Sequence, residues 1–243
     1  MNRAQILAAS RAEAARLGRQ ALSEVTPSRR DLAQFVDTRK QALAVIARLG
    51  GNPSWSTVQL VTQARACDDA DVAALAVATG VAGRPLADLQ AVVEATTAPV
   101  LRDDPIVDRS QLYDSRLRGA DGAIFPAADL DTDTLQGLVT VASSLHMASV
   151  VEVQSAADLA AALRPPHALI GLRCVAADER LDLARTLQLA RAVPPQRTLI
   201  CLAEVGSPAE CASLFGTCDA IVVADIISAA DDVAAAIKAL LGP

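Results

Sequence analysis

Residues 99–124, PVLRDDPIVDRSQLYDSRLRGADGAI, contain the pattern that best indicates the fold. A short apolar run, Pro99–Arg102, is followed by two carboxylates, Asp103 and Asp104, which the pattern places in a loop. The next segment, Ser110–Leu117, has apolar residues at helical spacing, and the apolar run GAI closes the stretch. The stretch therefore predicts a strand, a helix and a second strand, which is the unit that lays successive strands parallel.

The same alternation extends over most of the 243 residues, with apolar runs that start about 20 to 30 residues apart. We predict strands at Leu43–Leu49, Val72–Ala78, Pro99–Arg102, Gly122–Phe125, Ser149–Val153, Ala168–Leu172, Thr198–Ala203 and Ala220–Ala224. We predict the intervening helices at Val58–Ala66, Leu86–Ala95, Ser110–Leu117, Leu135–Leu145, Ala156–Leu163, Leu181–Ala192, Ala209–Phe215 and Asp231–Leu241. Eight such units predict an α/β fold, a single (β/α)8 TIM barrel. An open doubly wound sheet also alternates in this way, but its GxGxxG turn does not match GGNPS at 50–54.

About 40 residues precede the first predicted strand and form two polar helical segments, Ala4–Glu24 and Arg29–Ala42. Neither Pro/Gly-rich linkers nor low-complexity tracts divide the rest of the chain. We therefore predict one domain over residues 1–243, with an N-terminal helical extension at 1–42 and the barrel at 43–243. The extension is expected to cover one end of the barrel.

Composition and charge exclude several classes of function. A net charge of −6 and 2% aromatic residues oppose nucleic-acid binding, which depends on basic surfaces and stacking rings. The five cysteines form no CxxC pair, and the two histidines, His146 and His167, complete no metal-ligand spacing. The start of the chain lacks an apolar signal region, and no later run approaches the roughly 20 apolar residues of a membrane span. These features predict a soluble cytoplasmic protein without a metal site.

Motifs along the whole chain carry a family likeness. Residues 99–124 look like PVLRKDFI(I/V)DxYQ(I/L)xEAxxxGAD, a pattern that spans the third strand to the fourth. Further motifs follow the same family in order: VIARLGGNPS at 45–54, GRPLADL at 83–89, MASVVEVQ at 147–154, LIGLRC at 169–174, LAEVGS at 202–207 and DAIVVADIIS at 219–228. The chain thus resembles the indole-3-glycerol phosphate synthase family, which implies the same barrel.

The resemblance implies a reaction as well as a fold. In this family a carboxyphenylamino deoxyribulose phosphate undergoes ring-closing decarboxylation and dehydration in tryptophan biosynthesis, without a metal or an organic cofactor. Such a site needs a cationic acid, carboxylates for proton transfer, and hydrogen-bond donors for the phosphate. Glu152 and Glu204 match the family's fifth-strand and seventh-strand glutamates, so the resemblance implies that they are the catalytic residues here.

The cationic positions depart from the family pattern. Asp103 stands where the family has its third-strand lysine, the general acid. Arg48 and Gly50 stand at the first-strand Glu-x-Lys pair, and Arg173 replaces the sixth-strand asparagine. Both lysines are therefore missing, and reversing the charge of a general acid lowers the rate by about 10²–10⁴ or more.

The residues at the family's phosphate-binding positions also depart from the family pattern. Pro53, Ser54 and Gly206 remain of the family pattern, whereas Val205 replaces a serine and Ala224 replaces a glycine. We assign Ser54 and Gly206, together with the mouth residues Arg48, Asp103 and Arg173, to ligand binding.

Charges on neighbouring strands predict ion pairs across the mouth of the barrel. Arg48 is expected to pair with Glu204 or Glu152, and Arg173 with Asp103. The vicinal Asp103 and Asp104 are expected to point to opposite sides of the strand and so to avoid strong repulsion.

Three functional hypotheses follow. The first is a pseudoenzyme or repurposed barrel that binds a different polar small molecule or serves a partner protein. The second is an active synthase that uses Arg48 and Arg173 in place of the lysines and takes the family's phosphorylated metabolite. The third is a different lyase or isomerase that keeps Glu152 as its base.

Overall fold

Eight parallel strands form a closed barrel in the computed structural model, which describes residues 3–17, 25–38, 43–50, 54–80 and 84–242. The strands are β1 (Ala44–Leu49), β2 (Ala74–Val77), β3 (Val100–Pro105), β4 (Gly122–Pro126), β5 (Ala148–Val153), β6 (Leu169–Leu172), β7 (Leu199–Glu204) and β8 (Ala220–Val223). Each strand pairs in parallel with the next along the chain, and β8 pairs with β1 to close the barrel. The predicted (β/α)8 TIM barrel is confirmed.

Helices connect successive strands, as the periodicity predicts. They are α1 (Arg3–Leu17), α2 (Leu32–Asp37), α3 (Thr57–Asp69), α4 (Leu86–Ala95), α5 (Arg109–Leu117), α6 (Thr132–Ser144), α7 (Ala156–Ala162), α8 (Leu183–Ala190), α9 (Pro208–Leu214), α10 (Asp225–Ser228) and α11 (Val233–Leu241). The short α10 and a 3-10 turn at Ala127–Asp129 were not predicted, because three or four residues are too few to show a period. None of the described helices has the length and apolar character needed to cross a membrane.

Serine and aspartate residues set where most of these helices begin. Ser56 caps α3 and Asp108 caps α5, each in a capping box with the glutamine three residues later. Asp131, Ser155, Asp182, Ser207 and Asp232 cap α6, α7, α8, α9 and α11 with side-chain oxygens that accept a backbone N–H. Each cap satisfies an N–H group that the first helical turn leaves unpaired.

The apolar core has two layers that follow from strand alternation. Side chains of successive strand residues point to opposite faces. One set, which includes Ile46, Leu101 and Val150, fills the lumen of the barrel, while their neighbours, such as Ala47, Val100 and Val151, pack against the surrounding helices. The lumen is therefore packed, and polar groups are confined to its ends.

The predicted end of the third strand is wrong. We predict that the strand ends at Arg102, but β3 continues to Pro105 and includes Asp103 and Asp104. The pairing register with β4 shifts between Arg102 and Pro105, so the two aspartates occupy a bulge in the strand. Arginine side chains from inside and outside the barrel pair with them, which allows a strand to carry two buried charges.

The two N-terminal helices lie at opposite ends of the barrel, so the prediction that both cover one end is wrong. Helix α1 lies against α5 and the carboxyl end of β3, where the Ser10 hydroxyl donates to the Pro105 carbonyl. Helix α2 closes the amino end, because Leu32 and Val36 pack into the lumen cluster. The predicted continuations of these helices over 18–24 and 39–42 lie outside the described residues.

All five cysteines are buried and free. Burial raises the pKa of Cys67 and Cys218 to about 12 and that of Cys211 to about 11. These thiols stay protonated near neutral pH and serve as small apolar residues.

Candidate functional site

The lumen pattern brings charged side chains to the carboxyl end of the barrel. Because Ile46, Leu101 and Val150 face the lumen, Arg48, Asp103 and Glu152 two residues later face its mouth. Arg173 and Glu204 follow the same alternation at the ends of β6 and β7. In barrels of this kind the carboxyl end is where functional sites are built.

Asp103 is the central acceptor of the mouth. Its Oδ2 lies 2.5 Å from Arg48 Nε and its Oδ1 lies 3.1 Å from Arg173 Nη2. The predicted pairing of Arg173 with Asp103 is confirmed. The predicted pairing of Arg48 with Glu204 or Glu152 is wrong, because Arg48 turns to Asp103 and donates from Nη2 to the Leu202 carbonyl at 3.0 Å.

Glu152 is held by two arginines. Its Oε2 lies 2.7 Å from Arg173 Nε, and its Oε1 accepts from Arg3 Nη1 at 2.8 Å and from Gln154 Nε2 at 2.9 Å. Burial alone raises the pKa of Glu152, but the attraction of Arg173 and Arg3 outweighs it and lowers the pKa below the usual value. Glu152 is therefore an ionised carboxylate with a weak tendency to take up a proton.

Two members of the site lie outside the sequence-predicted set. Arg3, at the start of α1, donates to Glu152 and also lies 2.5 Å from Asp129 Oδ2 in the 3-10 turn after β4. No sequence signal identifies this pair, because a charged residue near the start of a polar helix resembles any solvated residue. Arg3 comes from the N-terminal helix and so ties α1 to the mouth.

These residues form a continuous chain of ion pairs, which we call the mouth network. In order it contains Asp129, Arg3, Glu152, Arg173, Asp103 and Arg48. Positive and negative groups alternate, and three guanidinium groups balance three carboxylates. Arginines hold their protons at neutral pH and so are poor general acids. Burial opposes the charge of Arg173, but its two carboxylate partners raise its pKa above the usual value.

Asp104 faces away from the mouth. Its Oδ2 lies 2.8 Å from Arg102 Nε, and the same carboxylate accepts from the hydroxyl and the backbone N–H of Thr79. Arg102 is fully buried and also pairs with Glu13 of α1 at 2.7 Å. The expectation that Asp103 and Asp104 point to opposite sides is confirmed, and each has its own arginine partners.

Gly50 stands at the position of the family's first-strand lysine, and its backbone conformation explains why a lysine does not fit there. It adopts a φ of 89°, which favours glycine, and a Cβ placed there would lie 2.6 Å from the Ala78 carbonyl oxygen. The backbone at position 50 therefore rejects any side chain, lysine included.

The remaining predicted residues make other contacts. Glu204 accepts from the backbone N–H of Asp225 at 2.6 Å, at the start of α10. The Gly206 N–H donates to Glu210 at 2.9 Å, and Ser54 is exposed in the loop between β1 and α3. Pro53 lies outside the described residues. Thus Arg48, Asp103, Glu152 and Arg173 come together, whereas Glu204, Ser54 and Gly206 do not join the mouth network.

The chain is thus a parallel (β/α)8 barrel with a charged cluster at the carboxyl end of its strands. The family model described as indole-3-glycerol phosphate synthase matches residues 1–240. The chain belongs to the indole-3-glycerol phosphate synthase family.

Curated relatives carry the same family name. An indole-3-glycerol phosphate synthase of Albidiferax ferrireducens is 43% identical over 105 residues, which cover 42% of this chain and 39% of the relative. One of Dehalococcoides mccartyi is 33% identical over 150 residues, covering 60% of this chain and 58% of the relative. The alignments thus span about two fifths to three fifths of these relatives' own length.

Solved structures share the fold. A 3-hexulose-6-phosphate synthase from Salmonella typhimurium superimposes with a TM-score of 0.65 at 16% identity, covering 82% of this chain and 97% of that one. A tryptophan synthase alpha chain from Legionella pneumophila gives a TM-score of 0.62 at 16% identity, covering 88% and 95%. At such low identity the likeness concerns the barrel alone.

Proposed function

We propose that this family member is impaired in, or lacks, the ring-closing decarboxylation, and that its mouth is a repurposed site for another small polar molecule. The observation that carries the proposal is the identity of residue 103 and of its ion-pair partners. The family resemblance calls for a general-acid lysine there, and this chain has an aspartate paired with Arg48 and Arg173. A carboxylate between two guanidinium groups cannot take the role of an ammonium acid.

The small number of lysines in the sequence supports the same proposal. The whole sequence contains two, Lys40 and Lys238. Lys238 is exposed on α11, which follows the last strand, and Lys40 lies outside the described residues. Arg48 and Arg173 would have to supply the acid instead, but both are engaged in the mouth network and arginine releases its proton poorly.

The backbone amides at the positions where the family pattern binds phosphate also support the proposal. The backbone N–H groups of Gly206 and Asp225 both donate to carboxylates of the chain itself, Glu210 and Glu204. A phosphate group bound at these amides would have to displace two negative charges and would meet the Asp225 side chain as a third. An anionic ligand is therefore disfavoured at this edge of the mouth.

A turnover assay tests the proposal. The purified chain is incubated with the carboxyphenylamino deoxyribulose phosphate, and the fluorescent indole product is followed beside the Dehalococcoides mccartyi relative. We expect a rate at least about 100-fold below that of the relative, since a lost general acid lowers the rate by about 10²–10⁴. We also expect no thermal stabilisation by this substrate.

The alternatives give different results. Turnover close to that of the relative, abolished by Glu152→Gln, would instead establish an active synthase that uses Arg48 and Arg173. Conversion of a metabolite that copurifies with the chain, abolished by Glu152→Gln, would favour another lyase or isomerase, whereas a bound metabolite that is not converted would support the repurposed site. The one-domain organisation, the cytoplasmic location and the lack of a cofactor stay predictions.

A further inference from the structure

A polar cavity lies at the opposite end of the barrel from the mouth network. We call it the amino-end cleft. Its volume is about 520 Å³, and it lies beneath the amino ends of β5, β6 and β7. Its lining comes from residues 28–31 and Ala33 around the start of α2, from α6, and from the loops that enter the three strands, at 146–149, 166–169 and 196–198.

The charges that face the amino-end cleft are predominantly positive. The titratable side chains that line it are Arg29, Arg30, Asp31, His146, His167 and Arg197. Both histidines of the sequence are among them. Three arginines against one aspartate are notable in a chain whose net charge is −6.

Contacts within the protein neutralise only part of this charge. Arg30 Nε pairs with Asp121 Oδ2 at 2.8 Å, and Asp31 accepts from the backbone N–H of Ala33 and Gln34 at the start of α2. Within the described ranges, no carboxylate oxygen lies within 4.0 Å of Arg29 or Arg197. Two guanidinium groups therefore face the amino-end cleft without a counter-ion from these residues.

Neutral carbonyl groups hold the Arg197 guanidinium in place and leave its positive charge uncompensated within the described residues. Its Nη groups donate to the carbonyls of Leu163, Ala162, Pro165 and Ala168, which fix the side chain against the loop before β6. Its Nε is buried and has no hydrogen-bond partner in the part of the chain that the structure describes. Burial lowers the pKa of Arg197, a penalty that a bound anion would relieve.

We propose that the amino-end cleft binds a phosphate monoester, with the phosphate between Arg29, Arg197 and the two imidazoles. The guanidinium of Arg29 presents paired N–H donors that match phosphate oxygens, the positive charge of Arg197 attracts the anion, and imidazole N–H groups add further donors. The hydroxyls of Ser143, Ser149 and Thr198 line the remainder of the amino-end cleft and suit a polar ligand body. The volume lies within the roughly 300–1,000 Å³ of metabolite sites and exceeds what a bare phosphate ion fills.

Calorimetric titration of the full chain tests this site. The probes are inorganic phosphate and glucose 6-phosphate, with glucose as the uncharged control and chloride at equal ionic strength. We expect saturable binding of glucose 6-phosphate, weaker binding of inorganic phosphate and none of glucose. No saturable binding of either phosphate would overturn the proposal.

Matched variants locate the site. Arg29→Gln and His167→Gln alter exposed side chains, so we expect an unchanged melting temperature. Each is expected to weaken glucose 6-phosphate binding about tenfold, the loss typical of a hydrogen bond to a charged group. Arg191→Gln, at an exposed arginine at the end of α8 and outside the lining, is the control and should leave binding unchanged.

Amide chemical shifts separate this proposal from ligand binding at the mouth. Glucose 6-phosphate should shift the signals of residues 28–33, 146–149 and 166–169. Shifts confined to residues 48–50, 152 and 173, or binding that Arg29→Gln and His167→Gln leave intact, would contradict the amino-end site. The outcome is independent of the synthase assay, since it concerns the other end of the barrel.

Discussion

Asp103 and Asp104 are neighbours in sequence but lie in two separate ion-pair systems. Asp103 belongs to the mouth network, whereas Asp104 pairs with Arg102 between the barrel and its helices. The peptide unit that joins them lies in a bulge of β3, which directs one side chain inward and the next outward. Two charges that would repel in a loop are therefore each stabilised by arginine.

The buried pair of Arg102 and Asp104 leads to a stability prediction. Arg102→Met leaves Asp104, whose side chain is 4% exposed, without its guanidinium partner. We expect the free energy of unfolding to fall by about 3–5 kcal/mol, as when one member of a buried ion pair is removed. Urea unfolding measures this change.

A surface arginine gives the matched control for Arg102. Arg65→Met alters an exposed side chain of α3 and should change the unfolding free energy by less than about 0.5 kcal/mol. Equal effects of the two substitutions would show that the ion pair of Arg102 with Asp104 contributes little.

Glu152 gives a prediction about pH. Its pKa is lower in the folded chain than its usual value of 4.5, so the unfolded chain binds the proton more readily. The stabilisation from Glu152 is therefore present above pH 4.5 and is lost as the pH falls below it. We expect Glu152→Gln to reduce the stability at pH 7 and to flatten the loss of stability below pH 4.5, measured by urea unfolding from pH 7 to pH 3.

An exposed glutamate controls for the general effect of acid. Glu94→Gln changes a solvent-exposed side chain on α4 and should leave the pH dependence close to that of the wild type. A Glu152→Gln profile that runs parallel to the wild type would contradict a lowered pKa in the folded state.

Helix α1 is attached to the carboxyl end of the barrel through polar contacts. Its Arg3 joins the mouth network, its Ser10 bonds to β3, and its Glu13 pairs with Arg102. Leu7 is the buried apolar residue of the same helix. Because few apolar side chains hold α1, its attachment depends on these polar contacts.

Hydrogen exchange tests this attachment. Arg3→Ala removes the contacts with Glu152 and Asp129, and we expect amide exchange in residues 3–17 to accelerate by about fivefold. Arg3 is 38% exposed, so solvent screening limits the loss to about 1 kcal/mol, which corresponds to that factor. Arg11→Ala, at an exposed position of the same helix, should leave exchange unchanged, and faster exchange in both variants would argue against a specific role for Arg3.

The side chains that fill the lumen pack too closely to admit even one added carbon at some positions. Gly171 in β6 lies so close to β7 that an added Cβ would overlap Leu202 Cδ1 and lie 2.9 Å from Val150 Cγ1. Gly171→Ala should therefore lower the free energy of unfolding by about 1–3 kcal/mol through overpacking. Thermal and urea unfolding measure the effect.

Gly137 provides a control of opposite sign. It is exposed in the middle of α6, and no heavy atom lies within 4 Å of an added Cβ. Gly137→Ala should raise the free energy of unfolding by about 0.5–1 kcal/mol, because alanine restricts the unfolded chain more than glycine does. Destabilisation by both substitutions would contradict the packing argument.

Local sequence patterns are sufficient to predict the architecture. The eight strands, the helices between them and the family likeness depend on periodicity, caps and motifs that lie within a few residues of each other. The same local patterns indicated that Asp103 and Asp104 diverge and that the family lysines are absent. Short elements such as α10 were not predicted because they contain too few residues to show a period, and the end of β3 was wrong because local patterns do not report ion pairs with distant residues.

Most of the charge pairs at the mouth become evident only in the folded barrel. Arg173 is 21 residues from Glu152 in sequence, and Arg3 is 149 residues from it, yet both bond to the same carboxylate. Closing the barrel likewise brings His146, His167 and Arg197 from three separate loops around one cleft, and places α1 and α2 at opposite ends. Such partners depend on the position of each strand end around the barrel, and side-chain spacing along the sequence does not contain that information.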